Sequence, residues 1–260
     1  MTEKTSQKPA FFGRKEELAR MLGFLDAGMA GSAAICFVTG DEGAGKSALL
    51  EAFAAEARNR YPNLIIAAGD CNPQTGTEET YLPFREIISD LTDRDAHQSG
   101  PEKVARPSSR FLQTARNIVA EHGPDLIDIF VPGGALITRV GAQAAQKVKE
   151  HKNRNGEGDS RAGIEQGHLF EQYTNVLCSL CSRNPLALFV DDLHWADQAS
   201  TQLLFHLGRR LKSEPILIIG AYRPIDLAAE EGRAAAPLAG QINELKRYHG
   251  DVWVDLGGIK

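Results

Sequence analysis

Apolar residues in this chain fall into two kinds of segment. The first kind is a short, unbroken run rich in β-branched and aromatic residues: 35–38 (Ile-Cys-Phe-Val), 64–68 (Leu-Ile-Ile-Ala-Ala), 186–190 (Leu-Ala-Leu-Phe-Val), 216–219 (Ile-Leu-Ile-Ile) and 252–256 (Val-Trp-Val-Asp-Leu). Such runs read as buried strands. In the second kind the apolar residues recur at helical spacing. Leu18, Leu22 and Leu25 share one face of a helix ending near residue 25, and 48–60 is Ala-rich without Gly or Pro. Ile87, Ile88 and Leu91 mark a third helix, and Phe111, Ala115, Ile118 and Val119 a fourth over 111–122. Leu136, Val140, Ala144 and Val148 predict one over 135–151, and further helices are expected over 164–183, 200–211 and 242–248. Tyr61-Pro62-Asn63, Gly123-Pro124 and Pro132-Gly133-Gly134 are breaks. Residues 94–109 read as a polar loop and 153–163 as flexible by composition. Strands alternating with helices predict an α/β architecture of three layers, with a mostly parallel sheet flanked by helices.

The first apolar run leads into Gly40-Asp41-Glu42-Gly43-Ala44-Gly45-Lys46-Ser47, which fits G-x-x-x-x-G-K-[ST]. Strand, glycine loop and helix is the context that a phosphate-binding loop needs. Gly40, Gly43 and Gly45 let the main chain close around a phosphate, with N–H groups of the loop and first helical turn aimed at it. Lys46 would reach the β- and γ-phosphate oxygens, and the Ser47 hydroxyl would ligate Mg²⁺. The competing reading is an ordinary strand–turn–helix corner.

A second signal is the run 186–190, which ends on Asp191-Asp192. An apolar strand delivering two acids matches the Walker B arrangement. The first acid can serve the Mg²⁺ shell, and the second can orient or deprotonate an attacking water. Two acids capping a turn would look similar, but Asp197 can cap the following helix instead. The run 216–219 leads to Arg223, which would stand at the carboxyl end of its strand, where ligands of open parallel sheets collect. An Arg there would face the phosphates, and that role is preferred to the plainer one of a surface ion pair.

Composition narrows the class. Hydrophobic residues make up 42% and charged residues 24%, as in an ordinary globular protein. The net charge of −5 carries no overall basic field, so nucleic acid is not an expected partner of this domain. Lys147, Lys149, Lys152 and Arg154 form a basic helix end, read as solvated cations matching the helix dipole. Cys178 and Cys181 are spaced as small apolar residues on one helix face, and no disulfide framework is implied. Residues 1–9 lack the apolar core of a signal peptide, and no stretch approaches 18 uninterrupted apolar residues. A cytoplasmic location without membrane contact is expected.

Several stretches together resemble the AAA-like ATPase domain of the STAND class, the signal-transduction ATPases with numerous domains. They are Phe12 to Leu18, Thr39 to Ser47, Leu188 to Asp197 and Gly220 to Pro224. The segment Asp191-Asp192-Leu193-His194-Trp195-Ala196-Asp197 is the most specific of them. The resemblance covers roughly residues 11–257, with 93–163 poorly matched. It implies one ATPase domain over 11–260 behind a loose tail at 1–10, carrying an unmatched helical insertion at about 93–163. It places Phe12, Gly13 and Arg14 near adenine and ribose. Gly40, Asp41, Glu42, Gly43, Ala44, Gly45, Lys46, Ser47 and Ala48 would cradle the phosphates of ATP or ADP. Ser47 and Asp191 would hold Mg²⁺, and Lys46, Asp192 and Arg223 would act in catalysis. The implied function is slow, Mg²⁺-dependent ATP hydrolysis used as a regulatory switch, as in large transcription regulators and cyclase-linked ATPases. Such proteins continue into a lid and a winged-helix domain, which this chain is expected to lack. Partner proteins or further domains are therefore expected. The rival readings are a motor or loader acting on nucleic acid, assembled as a nucleotide-dependent ring, and a non-catalytic nucleotide-binding scaffold. Arg209 and Arg210 would supply the ring's arginine finger, although a basic helix end accounts for them more simply.

Overall fold

A computed structural model describes residues 13–31, 35–71, 80–93, 107–126, 158–211, 213–227 and 237–257. The tail at 1–10, Phe12, the expected helix over 135–151 and its basic end lie outside these residues. In chain order the elements are α1 (Lys15–Met29), β1 (Ile35–Thr39), α2 (Lys46–Arg60), β2 (Ile65–Asp70), α3 (Leu82–Thr92) and α4 (Ser109–His122). There follow α5 (Gly158–Cys181), β3 (Leu186–Asp191), α6 (Gln198–Arg210), β4 (Ile216–Tyr222), α7 (Pro237–His249) and β5 (Trp253–Asp255). Short 3₁₀ turns at Leu193–Trp195 and Pro224–Leu227 follow β3 and β4.

The strands form one sheet in the order β2-β3-β4-β1-β5, and every pairing is parallel. Each apolar run of the sequence therefore became a strand. Every residue of β1 and β4 is buried, which is what a sheet covered by helices on both faces requires. The result is the three-layer α/β fold. In the core Phe37 stacks on Trp253 at 5.1 Å between centroids, and Phe53 meets Phe189 edge-on at 6.0 Å. The fully buried Phe37, Phe53 and Phe189 side chains each contribute roughly 1.5–3 kcal/mol by burial.

Three helix boundaries differ from the periodicity by more than two residues. α1 runs on to Met29 because Gly28 is itself buried against the core. α5 begins at Gly158, inside the stretch expected to be flexible. Each glycine costs a helix about 1 kcal/mol, but the body of α5 is anchored by the buried Tyr173, Val176, Leu177 and Leu180. α7 starts at Pro237, five residues ahead of the expected 242, and buries Leu238 and Leu245.

β2 lies at the edge of the sheet, and α3 covers that edge chemically. Asp90 accepts the Ala68 N–H at 3.2 Å, and Glu86 accepts the Asp70 N–H at 2.8 Å. Two α3 carboxylates thus satisfy donors that would otherwise invite another strand. The approach is close: a Cβ on Gly69 would lie 1.9 Å from the Pro83 carbonyl oxygen.

Candidate functional site

The carboxyl ends of β1, β3 and β4 converge on one cavity of about 260 Å³. Glu42, Gly43, Gly45, Lys46, Ser47 and Ala48 line it from the loop after β1, Asp191 and Asp192 from β3, and Arg223 from β4. The three separate sequence signals therefore meet at one place. A larger cavity of about 490 Å³ opens at the other end of β2, among Arg58, Arg110 and Arg183. It contains none of the predicted site residues.

The loop is shaped by torsion. Gly43 and Gly45 adopt φ of +74° and +91°, in the left-handed region where other residues are strained. Gly45 is also the N-cap of α2, so the helix begins without a side chain accepting its first N–H groups. Two other helix starts are capped, by Ser108 accepting from Phe111 N–H in α4 and by Asp197 accepting from Ala199 and Ser200 N–H in α6, whereas α1 and α3 begin, like α2, without a side-chain cap. The uncapped start of α2 combines open donors with the positive end of a 15-residue helix. The Lys46 ammonium bends back over the loop and donates to the carbonyls of Gly40 at 2.8 Å and Asp41 at 3.0 Å. Partial burial and the nearby Arg223 push its pKa down, against the pull of Asp192, Asp191 and Asp41. The loop floor is closed from β5: Leu256 N–H donates to Thr39 O at 2.8 Å, and a Cβ on Gly40 would stand 3.0 Å from Leu256 Cβ.

Opposite the loop, Asp191 accepts the Asp192 N–H on Oδ1 at 2.8 Å, while its carbonyl accepts the Cys71 N–H at 3.1 Å. Burial raises the Asp191 pKa, and the Asp192 N–H opposes that shift. Asp192 sits at φ 50°, and among the described residues only Tyr81 shares a positive φ without being glycine. Leu193 then tucks against β4, where a Cβ on Gly220 would come within 2.4 Å of its Cδ1. Gly220 thus leaves the room in which the acid loop is seated.

Arg223 is held by two carboxylates, Glu42 Oε2 at 3.2 Å and Asp226 Oδ2 at 3.9 Å. The Glu42 side chain is 83% exposed, so this tether is weak. Arg14 donates to the Ala44 carbonyl at 3.4 Å and pairs with Glu17 at 2.9 Å, which puts Gly13 and Arg14 beside the loop. Asp197 caps α6 as expected and also accepts the Tyr81 N–H at 3.2 Å. Arg209 and Arg210 stand at the far end of α6, where Arg210 pairs with Glu171 and Arg209 lies over Phe205 and Tyr248.

Two neighbours were missed from sequence. Asp226 follows Arg223 at a spacing of three, a signal that was available. His194 reads from sequence as a structural or switch-related residue without chemistry of its own, and its buried ring lies between the carboxylates of Asp192 and Asp226. Nothing local in the sequence brings Asp226 to His194.

A parallel sheet with a glycine loop before an uncapped helix, facing paired acids across a cavity, defines a P-loop nucleoside-triphosphatase fold. More narrowly, the chain belongs to the AAA ATPase domain family, whose model matches residues 10–219. It is also similar to an uncharacterized protein of Rhizobium meliloti (strain 1021), with 27% identity over 224 residues. That alignment covers 86% of this chain and 19% of the relative, so the chain spans about a fifth of the relative's length. Membership of an ATPase family implies nucleotide binding and hydrolysis.

Proposed function

We propose that this domain binds ATP with Mg²⁺ and hydrolyses it slowly, as a nucleotide-controlled switch of the signal-transduction ATPase type. The observation that carries the reading is the cavity in which the uncapped α2 terminus and Lys46 face Asp191, Asp192 and Arg223. The α2 N–H groups and Lys46 bind the β- and γ-phosphates, with Lys46 exchanging its two loop carbonyls for phosphate oxygens. Arg14 and Gly13 lie on the loop's outer side, suited to the nucleoside.

The donor set fits Mg²⁺. Ser47 offers a hydroxyl and Asp191 a carboxylate, both hard oxygen donors, on the same cavity wall as the phosphate cradle. Among the described residues no three His, Cys, Asp or Glu side chains cluster as a metal cage. Mg²⁺ suits such a site because it commonly takes one or two protein ligands beside phosphate and water. When bound it would neutralise charge on the phosphates. Asp192, which lines the same cavity from a left-handed backbone position, orients the attacking water and accepts its proton. Arg223 leaves its weak Glu42 tether for the γ-phosphate, and its return after hydrolysis is the switch.

The length of the relative supports a role within a larger assembly, in which partner domains read the nucleotide state. Among the described residues no helix is long and apolar enough to cross a membrane. The test is calorimetric titration of the chain with ATP and ADP, with and without Mg²⁺, alongside phosphate release. Mg²⁺-dependent ATP binding that Lys46→Ala abolishes is the expected result. Equal affinity of that variant and the wild type would refute the site.

A further inference from the structure

We infer that His194 is a positioning residue that couples Arg223 to Asp192, by giving its single ring proton either to Asp192 or to Asp226. The inference deepens the nucleotide reading above and rests on it for its functional meaning.

The His194 side chain is fully buried in the 3₁₀ turn after β3. Nδ1 stands 3.8 Å from Asp192 Oδ1, and Nε2 stands 3.5 Å from Asp226 Oδ2. Neither ring nitrogen makes a hydrogen bond. A buried polar group left unpaired costs about 1–3 kcal/mol, so the ring gains by closing on one carboxylate. Either bond needs a shift of less than about 1 Å to reach hydrogen-bonding distance. The charged groups acting on the ring are Asp192, Asp226, Arg223 and Lys46, and burial outweighs the two acids to hold its pKa low. The ring is therefore neutral, with one N–H and one lone pair. It can donate to one carboxylate only, and it then presents its lone pair to the other.

Arg223 biases that choice. Its Nε lies 3.9 Å from the same Asp226 oxygen that faces His194 Nε2. While Arg223 stays there, it partly neutralises Asp226 and weakens it as an acceptor. A terminal phosphate that draws Arg223 away strengthens Asp226, and the ring proton settles on Nε2. The tautomer changes by losing one proton from Nδ1 and gaining one at Nε2 through solvent, with no change in charge. Asp192 then faces a lone pair instead of a donor, and its carboxylate turns to the cavity and its water. The turn is thus linked to the Arg223 side of the site by Asp226, on a separate element, and the proton is the shared quantity.

The experiment is long-range ¹H–¹⁵N NMR of the full chain with labelled histidine, the His194 ring signals being assigned by their loss in His194→Gln. Spectra are taken without nucleotide and with Mg²⁺ and a non-hydrolysable ATP analogue. The Nε2–H tautomer is expected to gain population with the analogue. Arg223→Ala is expected to show the same gain without any nucleotide, and Asp226→Asn to abolish it in both conditions. An unchanged tautomer in Arg223→Ala overturns the coupling, whatever the chain binds. If Arg223→Ala shifts the tautomer but the analogue does not bind, the coupling stands and the nucleotide reading falls.

Discussion

Asp90 offers a stability test that depends on charge. Its carboxylate accepts the Ala68 N–H at the edge of the sheet, half-buried between α3 and β2. Desolvation pushes its pKa up to about 7, with the Ala68 N–H pulling the other way and the Glu86 charge adding to the rise. An unfolded aspartate titrates near 4. The folded chain therefore keeps a proton that the unfolded chain releases between about pH 4 and 7. The stability associated with that proton is complete below pH 4 and is lost as pH rises through about 7. A rise of about 3 units corresponds to about 4 kcal/mol as a ceiling, and solvent screening of a half-buried group reduces it to about 1–2 kcal/mol. Asp90→Asn removes the charge and keeps an oxygen for the Ala68 N–H. Urea denaturation at pH 5 and pH 8 reads the difference. The variant is expected to gain about 1–2 kcal/mol on the wild type at pH 8 and clearly less at pH 5. A gain that is the same at both values, or a variant less stable at pH 8, would refute the desolvation argument.

Other expectations follow from the same geometry. Asp192→Asn should retain ATP affinity within about threefold and lose phosphate release by about a hundredfold, the usual weight of general-base catalysis; persistent turnover would remove Asp192 from the chemistry. Gly220→Ala forces a methyl group within 2.4 Å of Leu193 Cδ1, so hydrolysis should fall more than nucleotide affinity as the acid loop shifts. Steady-state kinetics beside calorimetry separates the two effects. Asp197→Ala removes the acceptor of Ala199, Ser200 and Tyr81 N–H groups and should cost at least about 1–2 kcal/mol in chemical denaturation. A cost below 0.5 kcal/mol, on the order of an ordinary surface change, would count against that network.

Much of the fold was legible because its signals are local. A parallel strand buried on both faces must be apolar throughout, so 35–38, 186–190 and 216–219 announced themselves. Helix ends were less legible, because packing decides them. Nothing in the Gly158 to Gly163 segment advertises a helix, and α5 reaches it only because the helix beyond is anchored in the core. The parts of the candidate site were legible in the same measure. The glycine loop, the paired acids and the terminal Arg each sit within a few consecutive residues, where backbone chemistry alone constrains residue type.

By itself, then, the sequence determined the parts: a loop that needs left-handed glycines before a helix, a strand ending in two acids and another ending in arginine. The tertiary structure decided their company. The order β2-β3-β4-β1-β5 places β4 between the loop strand and the acid strand, which brings Arg223 to Glu42 across 181 positions. It also sets Gly220 against Leu193 and brings Asp226 to His194. Those meetings depend on strand order and side-chain volume, long-range quantities that no local pattern of residues encodes.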